Sequence, residues 1–130
     1  MKNRYVADTM AFILRLEKRK LPEQVKQIFL AAETDHAEIF IPAMVLAEIA
    51  YLSEKGRIDI NLSQVKQYLL NYPSVQEKEI NLEIIEAAFN ITDIPELHDR
   101  IISGCAKACG VELLTNDPVI HASAFIEALW

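Results

Sequence analysis

The chain has 130 residues, of which 52% are hydrophobic, 13 are Lys or Arg and 19 are Asp or Glu, giving a formal net charge of −6. This apolar content excludes a disordered chain, and the length is typical of one folded domain over residues 1–130. Charges interrupt every apolar run before the ~18 residues that a membrane span needs, so we expect a cytoplasmic protein without membrane association. The acidic balance disfavours nucleic-acid binding over a broad basic face but allows a locally held nucleic-acid substrate.

Short apolar runs separated by helical patterns dominate the chain. In chain order we predict a strand over 5–7, helices over 10–20 and from residue 22 to about 32, a strand over 38–41, helices over 43–55 and 62–71, a strand over 75–80, helices over 82–91 and 96–109, and a strand over 111–115. Residues 126–130 fit either a helix or a final strand. This alternation predicts an α/β protein with βαβ units, a mostly parallel sheet and helices on both faces.

The two cysteines give no sign of a metal site. Cys105 and Cys109 are four residues apart in a helical pattern, there is no Cys-x-x-Cys pair, and the three histidines are distant in sequence. A zinc site of ordinary type is therefore disfavoured, and we interpret both thiols as small buried hydrophobes.

Four acidic residues are each embedded in apolar sequence. Asp8 follows the first strand, Asp99 and Asp117 each lie two residues before a pair of aliphatic residues, and Glu48 is the only charged residue between positions 39 and 52. An ionised carboxylate removed from water costs several kcal/mol unless it is paired or binds a metal.

Each of these acids also has a structural interpretation. Asp8 and Asp117 each fit the N-cap of a following helix, the latter with Pro118 at the first helical position. Asp99 lies near the start of its helix, where a carboxylate favours the dipole. Glu48 has no opposite charge three or four residues away, although an exposed helix stripe remains open for it.

Taken together, the acids favour a metal site. Asp8 and Asp117 both end predicted strands, so they lie at the same edge of a parallel sheet, where ligands of such sheets bind. Asp99 opens the helix that leads into the strand ending at Asp117. If Glu48 points to the same place, the like charges require a cation, and their oxygen atoms favour Mg²⁺ or Mn²⁺. Such a centre can activate water for attack on a phosphodiester.

Four segments, residues 5–9, 42–52, 97–102 and 110–117, resemble PIN-domain ribonucleases, in particular VapC-like toxins of type II toxin–antitoxin systems. The resemblance implies a PIN-like α/β/α sandwich and a Mg²⁺- or Mn²⁺-dependent endoribonuclease that hydrolyses RNA phosphodiester bonds. It also implies a homodimer and a cognate antitoxin as partner protein. The catalytic and metal-binding residues that it implies are Asp8, Glu48, Asp99 and Asp117.

One position departs from the family pattern. Met10 stands where the family often has a small polar residue two positions after the first Asp, so that polar contact is missing or is supplied by Thr9. Thr115 and Asn116 are candidate supporting residues near Asp117, although ordinary turn and capping chemistry also accounts for them.

A basic cluster forms the other candidate surface. Arg15, Lys18 and Arg19 are dense in cationic charge, and we hypothesise that they steer RNA phosphates toward the acidic pocket. A solvated helix end is the alternative. The competing interpretation of the whole chain is a catalytically silent PIN-like module that binds protein or RNA and uses its acids as caps and polar anchors.

Overall fold

One sheet of five strands organises the chain, and the computed structural model describes residues 2–130. Its spatial order is β3-β2-β1-β4-β5, and every neighbouring pair is parallel. The strands are β1 (Asn3–Ala7), β2 (Ala37–Pro42), β3 (Val75–Lys78), β4 (Glu112–Leu114) and β5 (Ala128–Leu129). The prediction of an α/β fold with a mostly parallel sheet is confirmed, and within the described residues the sheet is parallel throughout.

In the described part of the chain, seven helices connect these strands. They are α1 (Thr9–Leu16), α2 (Glu23–Glu33), α3 (Ala43–Glu54), α4 (Leu62–Asn71), α5 (Leu82–Phe89), α6 (Leu97–Cys109) and α7 (Pro118–His121). Local chemistry explains several ends: the side chains of Asn61 and Asn81 cap α4 and α5, and Gly110 ends α6 in the left-handed conformation at φ 67°. None of these helices is long and apolar enough to cross a membrane.

Two parts of the predicted order differ from the structure. The first helix ends at Leu16 rather than near residue 20, because Lys18 adopts a left-handed backbone conformation at φ 55° that an α-helix cannot contain. The C-terminal tail forms the short helix α7 and then β5, whose Ala128 pairs with Leu113 of β4. That pairing is between residues distant in sequence, so local periodicity did not distinguish helix from strand there.

Successive strands are added to the sheet on both sides of β1. From β1 the chain adds β2 and β3 on one side and then returns to add β4 and β5 on the other. With right-handed crossovers, this reversal places crossover helices on both faces of the sheet. The carboxyl ends of β1 and β4 are neighbours at the reversal, where the Asp8 amide donates to the Leu114 carbonyl at 3.0 Å. This is the topological switch point at which α/β sheets bind ligands.

Helix α6 is held against α5 by a close backbone contact. Gly104 has no side chain, and a Cβ atom at that position would lie 2.6 Å from the Cβ of Ala88. Ile101 to Ala106 are all buried, because α6 also packs against α3, β1 and β4. The first turn of α6 is thereby fixed at the switch point.

Candidate metal centre

Asp8 is the most buried carboxylate of the site. It follows β1 directly, the residue is 9% exposed, and its Oδ1 accepts a hydrogen bond from the Ala11 amide at 2.9 Å. Burial is the main reason that the pKa of Asp8 is raised from 3.8 to about 6; the nearby Asp117 and Glu48 contribute to this rise, and hydrogen bonds from Thr115 and Ala11 oppose it. The negative charge at this position is therefore poorly solvated at neutral pH.

Asp117 lies beside Asp8, at the end of the neighbouring strand. Its Oδ1 accepts hydrogen bonds from the amides of Val119 at 2.8 Å and Ile120 at 3.2 Å, so Asp117 caps α7. The buried Thr115 hydroxyl accepts a hydrogen bond from the Asp117 amide at 3.0 Å. The capping interpretation is confirmed for both Asp8 and Asp117, and in both residues the cap bonds use only Oδ1.

Glu48 reaches the same edge from the body of α3. Its side chain is 28% exposed, the Thr9 hydroxyl donates to Oε1 at 2.5 Å, and the His98 ring nitrogen Nδ1 lies 3.6 Å from Oε2. Thr9 therefore supplies a hydroxyl at the centre, whereas Met10 is exposed to solvent. These contacts to the first turns of α1 and α6 rule out a freely solvated stripe for Glu48.

Asp99 lies in the first turn of α6 and is half-buried. Its pKa is raised to about 6, first by burial and then, in decreasing order, by the charges of Asp117, Glu96, Glu48 and Asp8. The four predicted acids therefore influence one another electrostatically, and Glu96 joins them as a fifth.

Two residues of this region were missed in the sequence. Glu96, rather than Asp99, caps α6, because Glu96 Oε2 accepts a hydrogen bond from the Asp99 amide at 2.7 Å. His98 lies between Glu96 and Glu48, with its Nδ1 3.5 Å from Glu96 Oε1. Glu is not among the usual N-cap residues, so the available signal was only an acidic residue just after Pro95, at the start of the predicted helix.

Within residues 2–130, the remaining predicted residues make no side-chain hydrogen bond to the four acids. Asn116 is exposed in the loop before α7. Arg15 sits at the other end of α1 from Asp8, about 10 Å along the helix axis, and is engaged by Glu33 through bonds of 2.9 and 2.5 Å. Lys18 and Arg19 are exposed beyond that end of α1.

The donor set fits a hydrated divalent cation. Within residues 2–130, no Lys or Arg lies within ion-pair distance of the predicted acids, and no three His, Cys, Asp or Glu side chains converge as a ready-made ligand shell. Mg²⁺ does not need such a shell, because it commonly binds to one or two carboxylates and keeps several of its waters. The thiols do not compete: Cys105 is buried, its pKa is raised to about 12 by burial and by Cys109, and the neutral thiol is a poor ligand.

Comparisons with known proteins agree with this fold. The PIN domain family matches residues 5–126. The structure of VapBC2 from Rickettsia felis bound to a promoter DNA fragment contains a similar chain, with a TM-score of 0.74, 19% identity and 98% coverage of both chains. DNA-bound VapBC from Salmonella typhimurium gives a TM-score of 0.71 and 17% identity, covering 99% of this chain and 98% of that chain. FitAcB from Neisseria gonorrhoeae gives 0.62 and 17%, covering 97% and 96%. A search of the curated proteins finds no match.

The protein has an open, all-parallel α/β sheet with acidic residues near its switch point. Proteins of this class generally bind their ligands at that edge of the sheet. Because the family match extends over nearly the whole sequence, the chain belongs to the PIN domain family. PIN domains are generally nucleases that depend on divalent metals. At these low identities, the likeness to the VapBC and FitAcB structures establishes the fold.

Proposed function

We propose that this protein is a Mg²⁺- or Mn²⁺-dependent endoribonuclease whose centre consists of Asp8, Glu48, Asp99 and Asp117. The observation that carries the proposal is the poorly solvated carboxylate of Asp8, a residue that is 9% exposed, has like charges for neighbours and has no Lys or Arg partner within residues 2–130. A divalent cation would offset that unfavourable charge.

The protein's own groups divide into ligands and supports. Asp8 and Asp117 are held by cap hydrogen bonds to Oδ1, and in the proposed centre Oδ2 of each would face the cation or its waters. Glu48 and Asp99 are more exposed than Asp8 and would orient those waters. The cation would supply Lewis acidity, which lowers the pKa of an attacking water and stabilises the leaving oxygen of the phosphodiester.

Calorimetry with Mn²⁺ tests this centre directly. We expect saturable binding by the wild type and its loss in Glu48→Gln, while Glu127→Gln, which changes an exposed acid at the opposite edge of the sheet, binds like the wild type. RNA cleavage should require Mg²⁺ or Mn²⁺ and should be abolished in Asp99→Asn with folding retained. A wild type that neither binds Mn²⁺ nor cleaves RNA would instead support the catalytically silent PIN-like module.

We further propose that the chain acts in the cytoplasm as the toxin of a toxin–antitoxin pair, as a homodimer inhibited by a cognate antitoxin. The support is the fold shared with chains from the VapBC complexes. Light scattering of the purified chain tests the dimer, and co-expression with the protein encoded by an adjacent short reading frame tests the partner. A monodisperse monomer would refute the dimer, and the absence of a co-purifying partner would refute the antitoxin assignment.

RNA steering by the basic cluster remains a prediction, and it now concerns fewer residues. Arg15 is paired with Glu33, so the exposed cations of the predicted cluster are Lys18 and Arg19. Arg19 lies 3.3 Å from the carboxylate of Glu17, and both cations lie at the far end of α1 from Asp8. They would bind phosphates distant from the cleaved bond. Changing both to Ser should weaken RNA binding and flatten its salt dependence, with Mn²⁺ affinity unchanged. Unaltered binding and salt dependence would favour the solvated helix end.

A further inference from the structure

We propose that Glu96 and His98 are positioning residues of the acidic centre, in which Glu96 fixes the backbone at Asp99 and, through His98, the carboxylate of Glu48. This inference rests on the proposed metal centre. It assigns a role to two side chains that lie at the rim of the site and that are not among its four expected acids.

A continuous line of contacts joins these residues. Glu96 Oε2 accepts a hydrogen bond from the Asp99 amide at 2.7 Å, and Glu96 Oε1 lies 3.5 Å from His98 Nδ1. The same His98 nitrogen lies 3.6 Å from Glu48 Oε2, and the Thr9 hydroxyl donates to the other oxygen of Glu48 at 2.5 Å. The first turns of α6 and α1 are thus linked across the Glu48 carboxylate of α3.

The choice of Glu at the helix cap supports a second role. N-caps are usually Ser, Thr, Asp or Asn, whose short side chains reach the amide three residues on. Glu96 makes that bond with one oxygen, and its additional methylene group carries the other oxygen to His98. A shorter cap would make the first contact without the second.

Glu48 is the acid that most needs such support. The carboxylates of Asp8 and Asp117 are fixed by backbone amides at helix ends, whereas Glu48 projects from the middle of α3 on a side chain with three rotatable bonds. The Thr9 hydroxyl holds one oxygen of the Glu48 carboxylate and His98 Nδ1 lies 3.6 Å from the other, so the two contacts together favour one orientation toward the neighbouring acids.

Substitutions at Glu96 separate capping, charge and positioning. Glu96→Ser keeps a cap but cannot reach His98, Glu96→Gln keeps both contacts and removes the charge, and Glu96→Ala removes cap and contact. For Glu96→Ser we expect a thermal midpoint like that of the wild type and an Mn²⁺ affinity about 10-fold lower, the effect typical of losing an outer-shell partner. The Mn²⁺ affinity of Glu96→Gln should lie between those of Glu96→Ser and the wild type. Glu96→Ala should lose both Mn²⁺ affinity and thermal stability.

The coupling to His98 is tested by a double-mutant cycle. His98→Ala should lower Mn²⁺ affinity about as much as Glu96→Ser, and the double variant should lose little more, because both changes break one chain of contacts. The same variants should lower kcat for RNA cleavage more than they change KM. Glu127→Ser is the matched control for the loss of an acidic side chain and should bind Mn²⁺ like the wild type.

Three results would overturn the inference. Wild-type Mn²⁺ affinity in Glu96→Ser would show that Glu96 is only a cap. Equal losses in Glu96→Gln and Glu96→Ser would show that charge alone matters, and additive losses in the double variant would show that His98 acts separately. Each presupposes a wild type that binds Mn²⁺ saturably; a wild type that does not bind would overturn the proposed metal centre itself, which is a distinct outcome.

Discussion

Burial of Asp8 predicts a measurable dependence of stability on pH. Because burial raises the pKa of Asp8 from 3.8 to about 6, the folded protein holds this proton more tightly than the unfolded chain does. The free energy of unfolding therefore falls as the pH rises from 3.8 to about 6, and the loss is complete at neutral pH. A pKa difference of this size corresponds to about 3 kcal/mol.

Asp8→Asn should remove that penalty and keep the structure. Asn is as good an N-cap as Asp, so the hydrogen bond from the Ala11 amide is retained while the buried charge is lost. At about pH 7.5 we expect the metal-free variant to exceed the wild type by up to about 3 kcal/mol, or roughly 10 °C in thermal midpoint. At about pH 4, where Asp8 is largely protonated in the folded protein, the difference should nearly disappear.

Urea denaturation without metal, at about pH 4 and about pH 7.5, measures the stability difference between the variant and the wild type at each pH. Asp8→Ala is the control, because it removes the charge together with a cap worth about 1 kcal/mol, and it should gain correspondingly less. Saturating Mn²⁺ should stabilise the wild type and leave Asp8→Asn unchanged. An Asp8→Asn variant that is no more stable than the wild type at neutral pH would refute the claim that this carboxylate is held at a cost.

Two further predictions concern packing away from the centre. Gly104→Ala should lower the free energy of unfolding by about 1–3 kcal/mol, because its Cβ would lie 2.6 Å from that of Ala88; unchanged stability in urea denaturation would show that α5 and α6 separate easily. Glu33→Gln should cost about 3 kcal/mol, because it leaves the partly buried Arg15 guanidinium without its carboxylate and weakens the 2.5 Å bond from the Tyr68 hydroxyl; a thermal midpoint like that of the wild type would contradict this.

Much of the site could be predicted because its signals are local. Asp8 and Asp117 each follow a short apolar strand, and a parallel sheet necessarily brings such strand ends to one edge. Glu48 was recognisable by the absence of any opposite charge one helical turn away. The side of β1 on which β4 pairs, which places Asp117 beside Asp8, depends on strand order and was supplied by the structure.

The parts that sequence reasoning missed depend on contacts between distant residues. His98 is close to Glu48 only because α6 packs against α3, and nothing near His98 in the sequence indicates that neighbour. Likewise, β5 exists because Ala128 and Leu129 pair with β4, and Arg15 is neutralised by Glu33 from a different helix. Helical periodicity and charge density predict the structure of one segment, but they do not indicate which distant segment packs against it.

The capping and metal-binding interpretations of the aspartates describe the same geometry. A helix that follows a strand in an α/β fold begins at the carboxyl edge of the sheet, so a residue that caps it already lies where ligands bind. Asp8 and Asp117 use Oδ1 for the cap, and those amides fix the direction of Oδ2. In the proposed metal centre, the caps would therefore orient these carboxylates before a cation binds, which would lower the entropy lost on binding. Replacing either residue with Asn, which keeps the cap, should therefore impair Mn²⁺ binding without loss of stability. A loss of stability would instead mean that the charge itself supports the fold.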